Sequence, residues 1–143
     1  QVRVTKKNCA KRLWTPMRKR DYRYAMVDKV HYEKYGQHEL IGKVTKELVR
    51  GISPDFDEIE VYIDGKLTEK QRGAIKRQVA GVSYLKDSDV GIHAMPKTKG
   101  RDGMFKSNCS VRTADTLSNF LFANYTTPEL ERGPISKKRV PFN

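Results

Sequence analysis

An α/β fold is what this sequence predicts, on three observations. Short stretches rich in β-branched, aromatic or alternating apolar residues stand at 22–27, 58–64 and 90–95, the signal of strands. Apolar or helix-forming residues at three- and four-residue spacing follow each stretch, the signal of helices. The order strand, helix, strand, helix, strand, helix then places a helical crossover between neighbouring strands, which makes them parallel and lays helices on the sheet faces. With 143 residues the chain has the size of one domain and can bury a core without disulfide or metal staples. It carries no internal repeat at the periods of about 20–50 residues that mark solenoids and propellers.

Each element has its own warrant. Residues 1–20 mix cations with Trp14 and Pro16 and end in Arg18-Lys19-Arg20; no period dominates, and an irregular basic arm is expected. The stretch 22–27 (YRYAMV) reads as the first strand. Tyr32, Tyr35, Leu40, Ile41, Val44, Leu48 and Val49 then recur at helical spacing, as one helix or a short and a longer one, with Gly36 weakening the middle. Ser53-Pro54-Asp55 is a loop. In 58–64 (EIEVYID), Ile59, Val61 and Ile63 alternate with polar neighbours, and Gly65 turns the chain. Thr68 is an N-cap, and the helix after it runs to about Ala80. The strand at 90–95 (VGIHAM) is stopped by Pro96, and the Lys-, Gly- and Ser-rich stretch 96–110 is an exposed loop. Over 111–125, Val111, Ala114, Leu117, Leu121 and Phe122 are placed on one face of a final helix. The expected organisation is therefore a basic arm at 1–20, an α/β domain at 21–127 and a basic tail at 128–143.

Charge narrows the class of partner. Lys and Arg number 29 against 17 Asp and Glu, a formal charge of +12. An excess of that size attracts polyanions. It is uneven: residues 1–50 hold 14 basic and 5 acidic side chains, 51–99 hold 8 of each, and 100–143 hold 7 and 4. Nucleic acid, DNA or RNA, is the expected partner. A membrane is not, because no apolar run approaches the ~18 residues of a span and no signal peptide is visible. Cys9 and Cys109 make no metal-ligand spacing and fit free thiols of a reducing, cytoplasmic compartment, a single bridge being the alternative.

Two carboxylates carry the possibility of chemistry. Asp64 stands where a strand runs into a Gly turn. It either opens the turn, as Asp-Gly often does, or projects into a site at the carboxyl end of a parallel strand, where ligands of open α/β sheets collect. Asp115, early in the last helix, either complements the helix N-terminus or joins Asp64 in holding Mg²⁺ or Mn²⁺ for phosphodiester cleavage. Asp28, Asp87, Asp89, Glu39 and Glu47 have simpler uses as caps, turn residues or partners of nearby lysines. His31, His38 and His93 show no metal-ligand spacing, His93 being the best placed for a site. Arg18, Lys19, Arg20, Lys97, Lys99, Arg101, Lys106 and Arg112 are the candidate phosphate contacts. Trp14, Tyr22 and Tyr24 interleave with cations in the manner of a single-strand stacking surface, or belong to the core.

Three short motifs, Val27-Asp28-Lys29, Tyr62-Ile63-Asp64-Gly65 and Val111-Arg112-Thr113-Ala114-Asp115, carry a resemblance. They are similar to strand-end and late-helix motifs of an uncharacterised ribonuclease H-like family of bacterial phages and mobile elements, domain of unknown function three thousand eight hundred. The resemblance covers roughly residues 20–125. It implies a ribonuclease H-like mixed sheet with helices on both faces, and a metal-dependent nuclease with Asp64 and Asp115 as ligands. Two departures stand beside it. Arg112 occupies the place of the family's Gln, and residues 1–20 contain no acid, so the family's leading Asp-Glu-Ser-Gly strand is not visible. The expectation is that a segment preceding Gln1 supplies that strand, or that the protein binds nucleic acid, alone or within a nucleoprotein complex, without cutting it.

Overall fold

The computed structural model describes residues 6–52, 56–95, 98–99, 105–106 and 109–143, with side chains described over 13–52, 56–95 and 110–143. In chain order the elements are α1 (Lys6–Lys19), α2 (Lys29–Lys34), α3 (Gln37–Val49), β1 (Ile59–Asp64), α4 (Glu69–Ser83), β2 (Val90–Met95), β3 (Thr98–Lys99), β4 (Phe105–Lys106), α5 (Cys109–Asn124) and α6 (Pro128–Arg132). Mixed helix and strand is thus the class. The chain divides into two compact units, a larger one of residues 25–111 with 140–143 and a smaller one of 1–24 with 112–139. This cuts across the expected arm, domain and tail.

The larger unit is built on the parallel pair β1 and β2, in register from Ile59 opposite Val90 to Asp64 opposite Met95. The crossover between them is α4. Its start is set by Thr68, whose hydroxyl accepts from the Gln71 N–H while the Gln71 side chain accepts from the Thr68 N–H, a reciprocal capping box. Alternation then decides the faces. Ile63, Val90 and Ile92 are buried with Val49 of α3 and Ile75, Val79 and Ala80 of α4. Glu60, Tyr62 and Asp64 point the other way and are exposed. Asp28 caps α2 and Gly36 precedes α3, so the expected helical stretch breaks at Gly36 into a short and a longer helix.

The smaller unit was not expected as a folded body. Residues 6–19 form α1 with Pro16 inside it, not an irregular arm. Met17 is almost wholly buried, and Trp14 meets Phe120 of α5 edge-on with ring centroids 4.9 Å apart. The stretch 22–27 is not a strand: it makes one isolated parallel bridge, Tyr24 to Arg139, through the Tyr24 N–H to Lys138 carbonyl bond of 3.2 Å. A lone bridge offers one ladder bond, and the apparent alternation of Tyr22 and Tyr24 reflects packing. The expected tail is ordered as α6 and a 3₁₀ turn over Pro134–Lys138, because Leu130 and Ile135 are both buried.

Two further expectations change. Among the described residues β1 and β2 form a two-stranded sheet whose face bearing Glu60, Tyr62 and Asp64 is exposed, where the resemblance implied helices on both faces of a larger sheet. Within 96–110, Thr98–Lys99 pairs antiparallel with Phe105–Lys106; the rest of that stretch up to 108 lies outside the described residues.

Candidate nucleic-acid interface

Asp64 is the last residue of β1. The next residue, Gly65, has φ 95°, a left-handed conformation that costs Gly nothing and strains other residues. The Asp64 carboxylate is exposed at the carboxyl end of a parallel strand, so the residue opens a turn and faces the edge where ligands of α/β sheets collect. Asp115 is exposed on α5. Since α5 begins at Cys109 and has no acid in its first turn, Asp115 sits in the second turn, beyond the strongest part of the helix field.

Divalent ions such as Mg²⁺ or Mn²⁺ take several oxygen ligands. Asp64 belongs to the larger unit and Asp115 to the smaller. Among the described residues, no group of three or more His, Cys, Asp or Glu is placed to hold a metal ion. Two of the histidines, His31 and His93, have other engagements. His31 Nδ1 accepts from the Asp28 N–H at 3.2 Å. The His93 ring bonds the Glu60 carboxylate and stacks on Tyr62 at 4.9 Å. Glu60 fits there because residue 91 is glycine: a Cβ at Gly91 would meet the Glu60 carboxylate and the His93 ring.

The candidate cations separate by what they touch. Arg18, expected to bind phosphate, pairs with Glu129 at 2.5 Å and lies 5.6 Å from the Trp14 ring centroid, so it braces the smaller unit. Lys138 does likewise, donating to the Arg20 carbonyl at 2.7 Å beside the Tyr22 ring. Lys19, Arg20, Arg112, Arg132, Lys137 and Arg139 are exposed or nearly so, and among the described residues none of them pairs with a carboxylate. Lys97 and Arg101 lie outside the described residues, as do the side chains of Lys99 and Lys106.

Of the two uses expected for the tyrosines, packing is the one observed, whereas Phe122 departs from its expected place. Tyr24 is buried, and Tyr22 is half-buried with its hydroxyl donating to the Met17 carbonyl at 2.7 Å. Burial, helped by the neighbouring Tyr24, pushes the Tyr22 phenol up to about 12, and burial raises Tyr24 as well. Tyr24 belongs to the core and Tyr22 is packed at its margin. Phe122, placed on the core face of the last helix from its spacing, is instead 75% exposed, and Tyr125 is 54% exposed. The core face of α5 carries Phe120 and Leu121. A neighbouring aromatic at position 120 was the available sign that the face was misassigned.

Comparison with family models, with curated proteins and with solved structures finds no match to this chain. No helix of the described residues is long and apolar enough to cross a membrane.

Proposed function

We propose that this chain binds nucleic acid, and that the smaller unit is the binding unit. The observation that carries this is the division of charge. Residues 1–24 and 112–139 hold 14 basic and 4 acidic side chains, a surplus of ten, whereas 25–111 and 140–143 hold 15 and 13, a surplus of two. A unit of that charge, with exposed Lys19, Arg20, Arg112, Arg132, Lys137 and Arg139, suits phosphate backbones, whose condensed counterions it displaces. The test is equilibrium binding of labelled DNA and RNA to the wild type and to a variant with Lys19, Arg20, Lys137 and Arg139 changed to Gln. All four side chains reach solvent, so the fold is retained. Affinity falls at least tenfold in the variant; equal affinity contradicts the assignment.

A ribonuclease H-like nuclease is the second proposal. What favours it is the β1–α4–β2 parallel unit with Asp64 at the carboxyl end of β1. Cleavage of a nucleic acid in Mg²⁺ or Mn²⁺ that disappears in Asp64→Asn and Asp115→Asn supports it. Unchanged nucleic-acid binding with no cut product on any substrate leaves binding alone.

A further inference from the structure

We propose that one exposed stripe of α5, ending in Phe122, together with Tyr125 in the turn just after the helix, is a stacking platform for single-stranded nucleic acid. This rests on the nucleic-acid reading above and names the form of the ligand. Arg112, Asp115, Asn119 and Phe122 recur at spacings of three and four, so they lie along one face of the helix, and all four are exposed. The stripe covers ~15 Å of helix at 1.5 Å per residue. Its end is aromatic: the Phe122 and Tyr125 rings are 6.2 Å apart and tilted by 31°.

An exposed phenylalanine is unusual when its own helix has a core face to offer. Phe120, two residues away, is fully buried while Phe122 is 75% exposed, so the helix buries one ring and presents the other. Exposed apolar side chains that adjoin one another, rather than single ones, mark contact sites, and these two rings adjoin. The unit carrying this pair has a surplus of ten positive charges, which selects a polyanionic partner. Aromatic faces on a cationic surface are how proteins hold unpaired bases, since every base has a π-face and a single strand leaves it open. A duplex stacks its bases on each other and keeps those faces closed. Arg112 supplies a phosphate contact, and Asp115 and Asn119 offer acceptors and a donor to base edges or to sugar.

The experiment compares a labelled mixed-sequence oligonucleotide, single-stranded and as its duplex, with wild type, Phe122→Ala, Phe122→Leu, Phe122→Trp and the double variant Phe122→Ala/Tyr125→Ala. Thermal unfolding is followed in parallel. Loss of one stacking ring lowers single-strand affinity about tenfold, equally for Ala and Leu, while Trp retains it. Duplex affinity changes by less than about twofold, and unfolding is unchanged. Single-strand affinity that survives the double variant overturns the proposal, as does an equal loss on duplex. Loss of self-association in the double variant, with nucleic-acid binding intact, also overturns it, in favour of an apolar protein contact. If the wild type binds neither form, the nucleic-acid reading itself fails; if it binds both and ignores the aromatic changes, only the platform fails.

Discussion

Tyr84 ends α4 with φ 61° and 88% of its surface exposed. A bulky residue pays ~1–2 kcal/mol in the left-handed region, and this one packs against almost nothing in return. Replacing it with Gly, the residue that helix ends prefer at such a position, is expected to stabilise the protein by about 0.5–1 kcal/mol in urea unfolding, after the loss of chain entropy that Gly brings. Tyr22 offers a pH test. Its phenol is held neutral up to about 12 against the ordinary 10.0, and the neutral form donates to the Met17 carbonyl. A group whose folded value is raised contributes stability that is full below the unfolded value and is lost as pH rises through the folded one. Stability therefore falls between pH 10.0 and about 12, and this part of the fall disappears in Tyr22→Phe.

At the scale of an element, α5 is the most instructive. Phe120→Ala removes a fully buried ring that meets Trp14 edge-on and is expected to cost about 3–5 kcal/mol. Phe122→Ala, two residues on, is expected to change stability by less than about 0.5 kcal/mol, as surface substitutions do. Paired urea-unfolding curves check both. The same helix shows how far the sequence was legible. α3 and β1 were readable because each has an apolar face with a clean period, α4 because Thr68 caps a run of helix formers, and β2 as a short run stopped by Pro96. In α5 the face was readable through Val111 and Leu121, both buried, but its edge was not: Phe122 was assigned to the core because any apolar residue fits a helical stripe that is drawn one residue too far. α1 was hidden by its cations and Pro16, although Leu13 and Met17 stand one turn apart. The stretch 22–27 looked like a strand because alternating tyrosines also fit a segment packed without a ladder. Of the candidate site, Asp64 and its Gly turn were readable. The Glu60 and His93 pair was not, because it depends on the register of β1 with β2, which no local pattern reveals.

Over the whole molecule, the split of charge is the central feature. Reading along the chain placed most of the excess in the first third; the fold instead gathers residues 1–24 with 112–139, so two segments far apart in sequence contribute to one unit. Binding by such a unit releases counterions and is steeply salt-dependent, by about 0.7 in log–log slope for each phosphate neutralised on a single strand. The most direct test is therefore the affinity of the full chain for a labelled single-stranded oligonucleotide across a salt series. The expected result is micromolar or tighter binding at low salt, falling with a slope of about −3 or steeper as several cations engage phosphate. Weak binding with a flat salt dependence would contradict nucleic-acid binding by this protein.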